Sequence, residues 1–103
     1  MNDKIIHIKV DSLFEAIVPE YLEGIREHTE SIEKFLLTEN YEGIRTLGHN
    51  MKGSGGGYGF NRITELGSWI EAAAKEKHSL LIKKYNEEIV HYLKNINIEY
   101  ISD

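Results

Sequence analysis

The sequence of 103 residues contains no cysteine and one proline. The missing cysteines exclude disulfides and cysteine metal sites, and they favour the cytoplasm. No apolar run approaches the roughly 20 residues of a membrane span, and the N-terminal segment lacks the apolar core and cleavage site of a signal peptide. The 12 basic residues are outnumbered by 17 acidic ones and form no basic cluster. We therefore expect one cytoplasmic domain that binds neither nucleic acid nor a membrane.

Four segments repeat apolar residues at alternating spacings of three and four, which is typical of amphipathic helices. Pro19 suits the first turn of the first helix, and Asn61 and Ser79 are expected to cap the third and fourth. Because short loops join the segments, they predict an all-α fold, an antiparallel up-down four-helix bundle. The four stripes consist of Leu22, Ile25, Thr29, Ile32 and Leu36; Ile44, Leu47, Met51 and Tyr58; Ile63, Leu66, Ile70 and Ala73 or Ala74; and Ile82, Tyr85, Ile89, Tyr92 and Ile96.

The N-terminal segment differs from the rest of the chain. Residues 4–10 alternate between apolar and polar types, which is the period of a β-strand. We interpret them as an extended arm packed on the bundle, with a partner-binding edge as the alternative. Asp11 is expected to cap a short helix that follows the arm. The predicted organisation is an arm and short helix over 1–18, a bundle over 19–98 and a C-terminal tail over 99–103.

One helical face carries an unusual group of residues around His49. Because successive helical residues are 100° apart, Arg45, Lys52, Gly53 and Gly56 lie within about 60° of His49 around the helix. The glycines leave the imidazole open to another protein, and the two cations can hold an anion beside it. Imidazole is a nucleophile near neutral pH, with an unperturbed pKa of about 6.5. This face therefore predicts reversible phosphorylation of His49, for which positioning and charge compensation are the main requirements.

A carboxylate is expected at the same height as this histidine. If the turn after the second helix centres near Phe60, then His49 lies eleven residues before it and Glu71 eleven residues after it. Glu71 could then accept a hydrogen bond from Nδ1–H, which fixes the tautomer and leaves a lone pair on Nε2. The alternative is that Glu71 is an ordinary solvated residue of the third helix.

The segment HNMKGSGGGYG resembles the signature of histidine-containing phosphotransfer (HPt) domains: a histidine, two residues, Lys-Gly, five residues and a glycine. His49, Lys52, Gly53 and Gly59 fill these positions. The family usually has an acid or amide twenty-two residues after the histidine, where this chain has Glu71. The segment FNRITELGSWIEAA is also similar to the next helix of the family. The resemblance covers residues 40–77.

This resemblance implies a four-helix phosphocarrier that is not itself an enzyme. His49 would take a phosphoryl group from a phosphoaspartate of a response-regulator receiver domain, or from a histidine kinase, and pass it to another receiver aspartate. Lys52 would stabilise the phosphate and Glu71 would orient the imidazole. Mg²⁺ would be bound by the receiver, because no carboxylate cluster here suits it, and we expect no metal or other cofactor on this chain. The docking surface would include Arg45, Gly53, Gly56 and Gly59.

Other classes of function fit the sequence less well. The glycine-rich stretch is not a P-loop, because Lys52 precedes the glycines and no strand comes before them. No two histidines are three or four residues apart, so no helical pair of metal ligands is present. Two alternatives stay open: a docking or inhibitory module that binds a receiver or kinase without carrying phosphate, and an isolated phosphoacceptor domain of a chemotaxis-type kinase.

Overall fold

A computed structural model describes residues 4–102 as four α-helices and a small parallel sheet. Helix α1 packs against α2 and α4, and α3 also packs against α2 and α4, so the four helices surround one apolar core. Across residues 4–102, no helix combines the length and the apolar character needed to cross a membrane. The elements are β1 (Ile6–Asp11), α1 (Val18–Leu37), α2 (Tyr41–Ser54), α3 (Asn61–Lys75), α4 (Ser79–Asn95) and β2 (Ile96–Ile101).

The apolar stripes form the core as the periodicity predicts. Helix α1 has Pro19 in its first turn, and Ile25, Thr29 and Ile32 are buried. Tyr85 was expected on the core-facing side of α4, but it is only half-buried, and the neighbouring Asn86 is buried instead. The side-chain amide of Asn86 donates a hydrogen bond of 3.0 Å to the carbonyl of Thr29, which joins α4 to α1.

Two predicted helix caps are wrong by one residue. Asn61 is the first residue of α3, and Phe60 occupies the cap position without a side-chain hydrogen bond. Ser79 is likewise the first residue of α4. The cap is His78, whose Nδ1 accepts a hydrogen bond of 3.3 Å from the amide of Leu81. A histidine can replace the usual hydroxyl or carboxylate because an unprotonated ring nitrogen is also an acceptor.

The N-terminal arm is the strand β1, and Asp11 caps the turn after it, where its carboxylate accepts a hydrogen bond of 2.9 Å from Leu13. The expected helix is a single 3₁₀ turn at Ser12–Phe14. Residues 99–101 of the predicted C-terminal tail belong to the strand β2, and Ile96 begins this strand instead of continuing the fourth helix.

Residues 96–101 form β2, which pairs in parallel with β1, with Ile6 opposite Ile96 and Ile8 opposite Ile98. Parallel strands need a long crossover between them, and here the four helices supply it. Alternate side chains of both strands pack against the core. The fold is therefore mainly helical, with a two-stranded sheet that joins the two ends of the chain.

Helices α2 and α3 approach each other backbone to backbone. A Cβ atom on Gly48 would lie 2.8 Å from the amide nitrogen of Glu71 and 2.9 Å from the carbonyl oxygen of Gly67. A Cβ atom on Gly67 would lie 2.7 Å from the amide nitrogen of Lys52. Only glycine leaves room for this approach, which fixes how the side chains of α2 meet those of α3.

This contact predicts opposite effects of alanine at two glycines of the same helix. Gly48→Ala should lower the free energy of unfolding by about 1–3 kcal/mol, because the new methyl group meets backbone atoms that must move apart. Gly53→Ala should raise the free energy of unfolding by up to about 1 kcal/mol, because its Cβ position has no neighbour within 4 Å beyond the adjoining residues and backbone of its own helix, and alanine is the better helix former. Chemical denaturation checks both values, and equal effects of the two substitutions would contradict the close packing.

Candidate functional site

His49 lies on the outer face of α2, as the helical periodicity predicts. About two thirds of its side chain, 66%, is exposed, so the ring is accessible to another molecule. The buried residues of α2 are Ile44, Gly48 and Met51, which lie on the side that faces the core.

The imidazole of His49 contacts the carboxylate of Glu71 across the interface between α2 and α3. The distance between Nδ1 and Oε2 is 3.1 Å, so the contact expected from the hairpin spacing is present. Because an ionised carboxylate can only accept, Nδ1 is the donor and carries the proton. The second ring nitrogen, Nε2, then has a free lone pair. The alternative of a solvated Glu71 is wrong, because only 10% of its side chain is exposed.

Glu71 also meets the cation of the predicted motif. The ammonium group of Lys52 lies 3.5 Å from Oε1 of Glu71, so each carboxylate oxygen faces a different partner. Burial acts to raise the pKa of Glu71, but the hydrogen bond with His49 and the charges of Lys52, His49 and Lys75 outweigh it, and the net pKa is lowered. The carboxylate is therefore ionised at neutral pH and can hold the Nδ1 proton in place.

Arg45 is less available than the sequence suggests. Its guanidinium group contacts the carboxylate of Glu42 at 2.5 Å, between residues three apart on α2. Arg45 was expected to hold an anion beside His49, and the carboxylate of Glu42 competes with such an anion for the guanidinium group. The spacing of Glu42 and Arg45 was visible in the sequence, since residues three apart are neighbours on a helix surface.

The glycines after His49 have several distinct environments. Helix α2 ends at Ser54, and a 3₁₀ helix follows at Gly55–Tyr58. The position of Gly56 on the same face as His49, which was expected from one continuous α-helix, therefore does not apply. Gly53 is exposed with open space around it. The amide of Gly56 donates a hydrogen bond of 2.7 Å to the hydroxyl of Thr64.

Gly55 and Gly59 have conformational roles. A Cβ atom on Gly55 would lie 2.7 Å from the carbonyl oxygen of Phe60, so this glycine permits a close approach. Gly59 ends the 3₁₀ helix with a φ of 96°, a left-handed conformation that favours glycine. Of the three predicted docking glycines, Gly53 has the most open surroundings. Docking at Gly53, Gly56 and Gly59 stays a prediction.

Aromatic side chains hold this end of α2, and of these only Tyr58 belongs to a predicted apolar stripe. The hydroxyl of Tyr21 lies 2.8 Å from that of Ser54, which joins α1 to the last residue of α2. Tyr58 contacts the rings of Phe14 and Tyr21, with centroids 5.2 and 4.7 Å apart. The contact of Tyr21 with this segment could have been suspected from the sequence, because Tyr21 lies next to Leu22 at the start of the apolar stripe of α1. These contacts fix the glycine segment against α1.

Known proteins give no indication of what the site does. No family model, no curated protein and no solved structure matches this chain. Within residues 4–102, no group of three or more histidine, aspartate or glutamate side chains could hold a metal ion. The candidate site is therefore the arrangement of His49, Lys52 and Glu71, in which a buried carboxylate orients an exposed imidazole beside an ammonium group.

The lowered pKa of Glu71 predicts an acid-dependent loss of stability. The folded protein favours the ionised form of Glu71 over the protonated form. The contribution of Glu71 to stability is therefore complete above its unfolded pKa, about 4.5, and is lost as the pH falls through the lower folded pKa. Wild type should therefore lose part of its stability advantage over Glu71→Gln below about pH 4.5. Chemical denaturation at pH 7 and pH 3 measures this difference.

Glu33→Gln provides the matched control. Glu33 is exposed, and its side chain makes no hydrogen bond or ion pair among residues 4–102. A wild-type advantage over Glu71→Gln that is equally large at both pH values would contradict the assigned ionisation of Glu71.

Proposed function

We propose that this chain is a phosphocarrier of a cytoplasmic two-component phosphorelay, built as an antiparallel up-down HPt bundle. The observation that carries the proposal is the contact of 3.1 Å between Nδ1 of the exposed His49 and the shielded carboxylate of Glu71. It leaves Nε2 as the nucleophile. The phosphoryl donor is a receiver phosphoaspartate or a histidine kinase, and the acceptor is an aspartate of a receiver, which supplies the Mg²⁺.

The transfer needs no proton to leave the imidazole. The Nε2 lone pair attacks the phosphorus of the phosphoaspartate, the N–P bond forms, and the P–O bond to the aspartate breaks as its carboxylate leaves. The ring then carries a positive charge with the proton still on Nδ1, where the carboxylate of Glu71 stabilises it. In the reverse direction the neutral imidazole leaves. Glu71 therefore supports both acceptance and donation.

Lys52 supplies positive charge on the same helix face. Its ammonium group, 3.5 Å from Oε1 of Glu71, makes a contact long enough to yield to a stronger acceptor. A phosphoryl group on Nε2 offers several anionic oxygens within a flexible side chain's reach. Because phosphoryl transfer is catalysed mainly by positioning and charge stabilisation, Lys52 is the residue that stabilises the transferred group.

Partner docking is proposed to use the open surface beside this site. Gly53 follows Lys52 directly, and its Cβ position has no neighbour within 4 Å beyond the adjoining residues and backbone of its own helix. A receiver must bring its aspartate to within bonding distance of Nε2, so a surface without side chains next to His49 favours close approach.

The first prediction of this proposal concerns the site of phosphorylation. A phosphorylated receiver should transfer its label to wild type, and the product should be acid-labile and alkali-stable. His49→Gln should carry no label, because it lacks the nucleophile, whereas His28→Gln should be labelled normally. Labelling of His49→Gln would contradict the assignment. Receiver binding without any transfer would favour the alternative of a docking or inhibitory module.

The second prediction separates the roles of Glu71 and Lys52. Glu71→Gln keeps an acceptor for Nδ1–H and should slow phosphorylation little, whereas Glu71→Ala removes it and should slow phosphorylation more. Lys52→Gln should slow phosphorylation about tenfold or more, since a hydrogen bond to a charged group contributes roughly 1.5–3 kcal/mol. Initial rates measured with one receiver check all three variants. Equal rates for Glu71→Ala and wild type would show that Glu71 does not orient the imidazole.

A further inference from the structure

A second lysine lies beside the candidate site, on the opposite helix from Lys52. Lys75 follows Glu71 by one turn of α3, so the two residues share a helix face. Its side chain lines an open groove of about 560 Å³ between the start of α2 and the end of α3. Arg45, one turn before His49, lines the same groove. Lys75 therefore lies one helical turn from Glu71, toward the end of the site where Arg45 lies.

The cations around His49 differ in how far they are already paired. Arg45 contacts Glu42 at 2.5 Å, and Lys52 lies 3.5 Å from Glu71. The side chain of Lys75 makes no hydrogen bond or ion pair among the residues that the structure describes, yet its charge helps to lower the pKa of Glu71. Of the three cations, Lys75 is therefore the one whose side chain has no ion-pair partner among the described residues. It is nevertheless close enough to Glu71 to lower the pKa of that carboxylate.

We propose that Lys75 is a second phosphate-binding residue of this site, so that Lys52 from α2 and Lys75 from α3 hold the phosphoryl group between them. This inference rests on the proposed function. The phosphoryl group adds negative charge beside the ionised Glu71, and a flexible ammonium group that is not already paired compensates that charge at the least cost. Lys75 is exposed, so its side chain can turn from solvent toward Nε2.

A small phosphoryl donor separates phosphate binding from partner docking. Phosphoramidate has no protein surface, and its reaction is balanced: Nε2 attacks phosphorus, the N–P bond to the ring forms, and the P–N bond of the donor breaks as ammonia leaves. Lys75→Gln should lower the initial rate of this reaction by about threefold to tenfold, and Lys75→Arg should restore most of it. Lys83→Gln, which removes the charge of an exposed lysine on α4, should react like wild type.

Phosphorus NMR gives a readout that a structural role would not change. In wild type, the apparent pKa of the phosphohistidine should lie lower than in Lys75→Gln, because the nearby ammonium group favours the dianion. Thermal unfolding should show that both variants are folded.

The outcomes distinguish this inference from the proposed function. If His49 is phosphorylated at the wild-type rate in Lys75→Gln, with an unchanged phosphorus titration, the role of Lys75 is overturned and the phosphocarrier proposal stands. A defect seen only with a receiver as donor would overturn phosphate binding and assign Lys75 to partner contact. If neither phosphoramidate nor a phosphorylated receiver labels His49 in wild type, both proposals are overturned.

Discussion

The close approach of α2 and α3 at Gly48 and Gly67 is the constraint on which the candidate site depends. A Cβ atom on Gly48 would come within 2.8 Å of the amide nitrogen of Glu71, so α2 lies almost on the backbone that carries this carboxylate. At that separation the side chain of Glu71 is largely shielded by the two helices and still meets the ring of His49. A wider separation would expose the carboxylate to water and weaken its hold on the imidazole.

The candidate site combines an exposed imidazole with a shielded carboxylate that contacts it. A protein that exchanges a phosphoryl group with other proteins needs an accessible imidazole, but an exposed histidine alone has no preference for the tautomer with its proton on Nδ1. Glu71 supplies this preference, because its carboxylate is ionised and little exposed. The hydrogen bond with His49 and the charges of Lys52 and Lys75 lower the pKa of this carboxylate, and the two lysines would provide positive charge for the proposed phosphoryl group. The same electrostatic arrangement therefore serves the resting protein and the proposed phosphorylated one.

Features that depend on local spacing could be predicted from the sequence, and features that depend on distant segments could not. The helices could be predicted from the period of their apolar residues. The contact between His49 and Glu71 could be predicted because both residues lie eleven positions from Phe60, near the turn between their helices. The strand β2 was missed because Ile96 continues the apolar stripe of α4, while its pairing partner, Ile6, lies at the other end of the chain. The pairing of Arg45 with Glu42 could have been found from their spacing of three residues. The burial of Glu71 could not, because it results from how closely two helices pack.

The central claim is that Glu71 holds the Nδ1 proton and leaves Nε2 to form the bond with phosphorus. Nitrogen NMR of the His49 ring at neutral to mildly alkaline pH, before and after reaction with phosphoramidate, tests this claim most directly. The account predicts that the neutral ring carries its proton on Nδ1 in the free protein and that phosphorus is attached to Nε2 in the product. A ring protonated mainly on Nε2, or phosphorus attached to Nδ1, would contradict it.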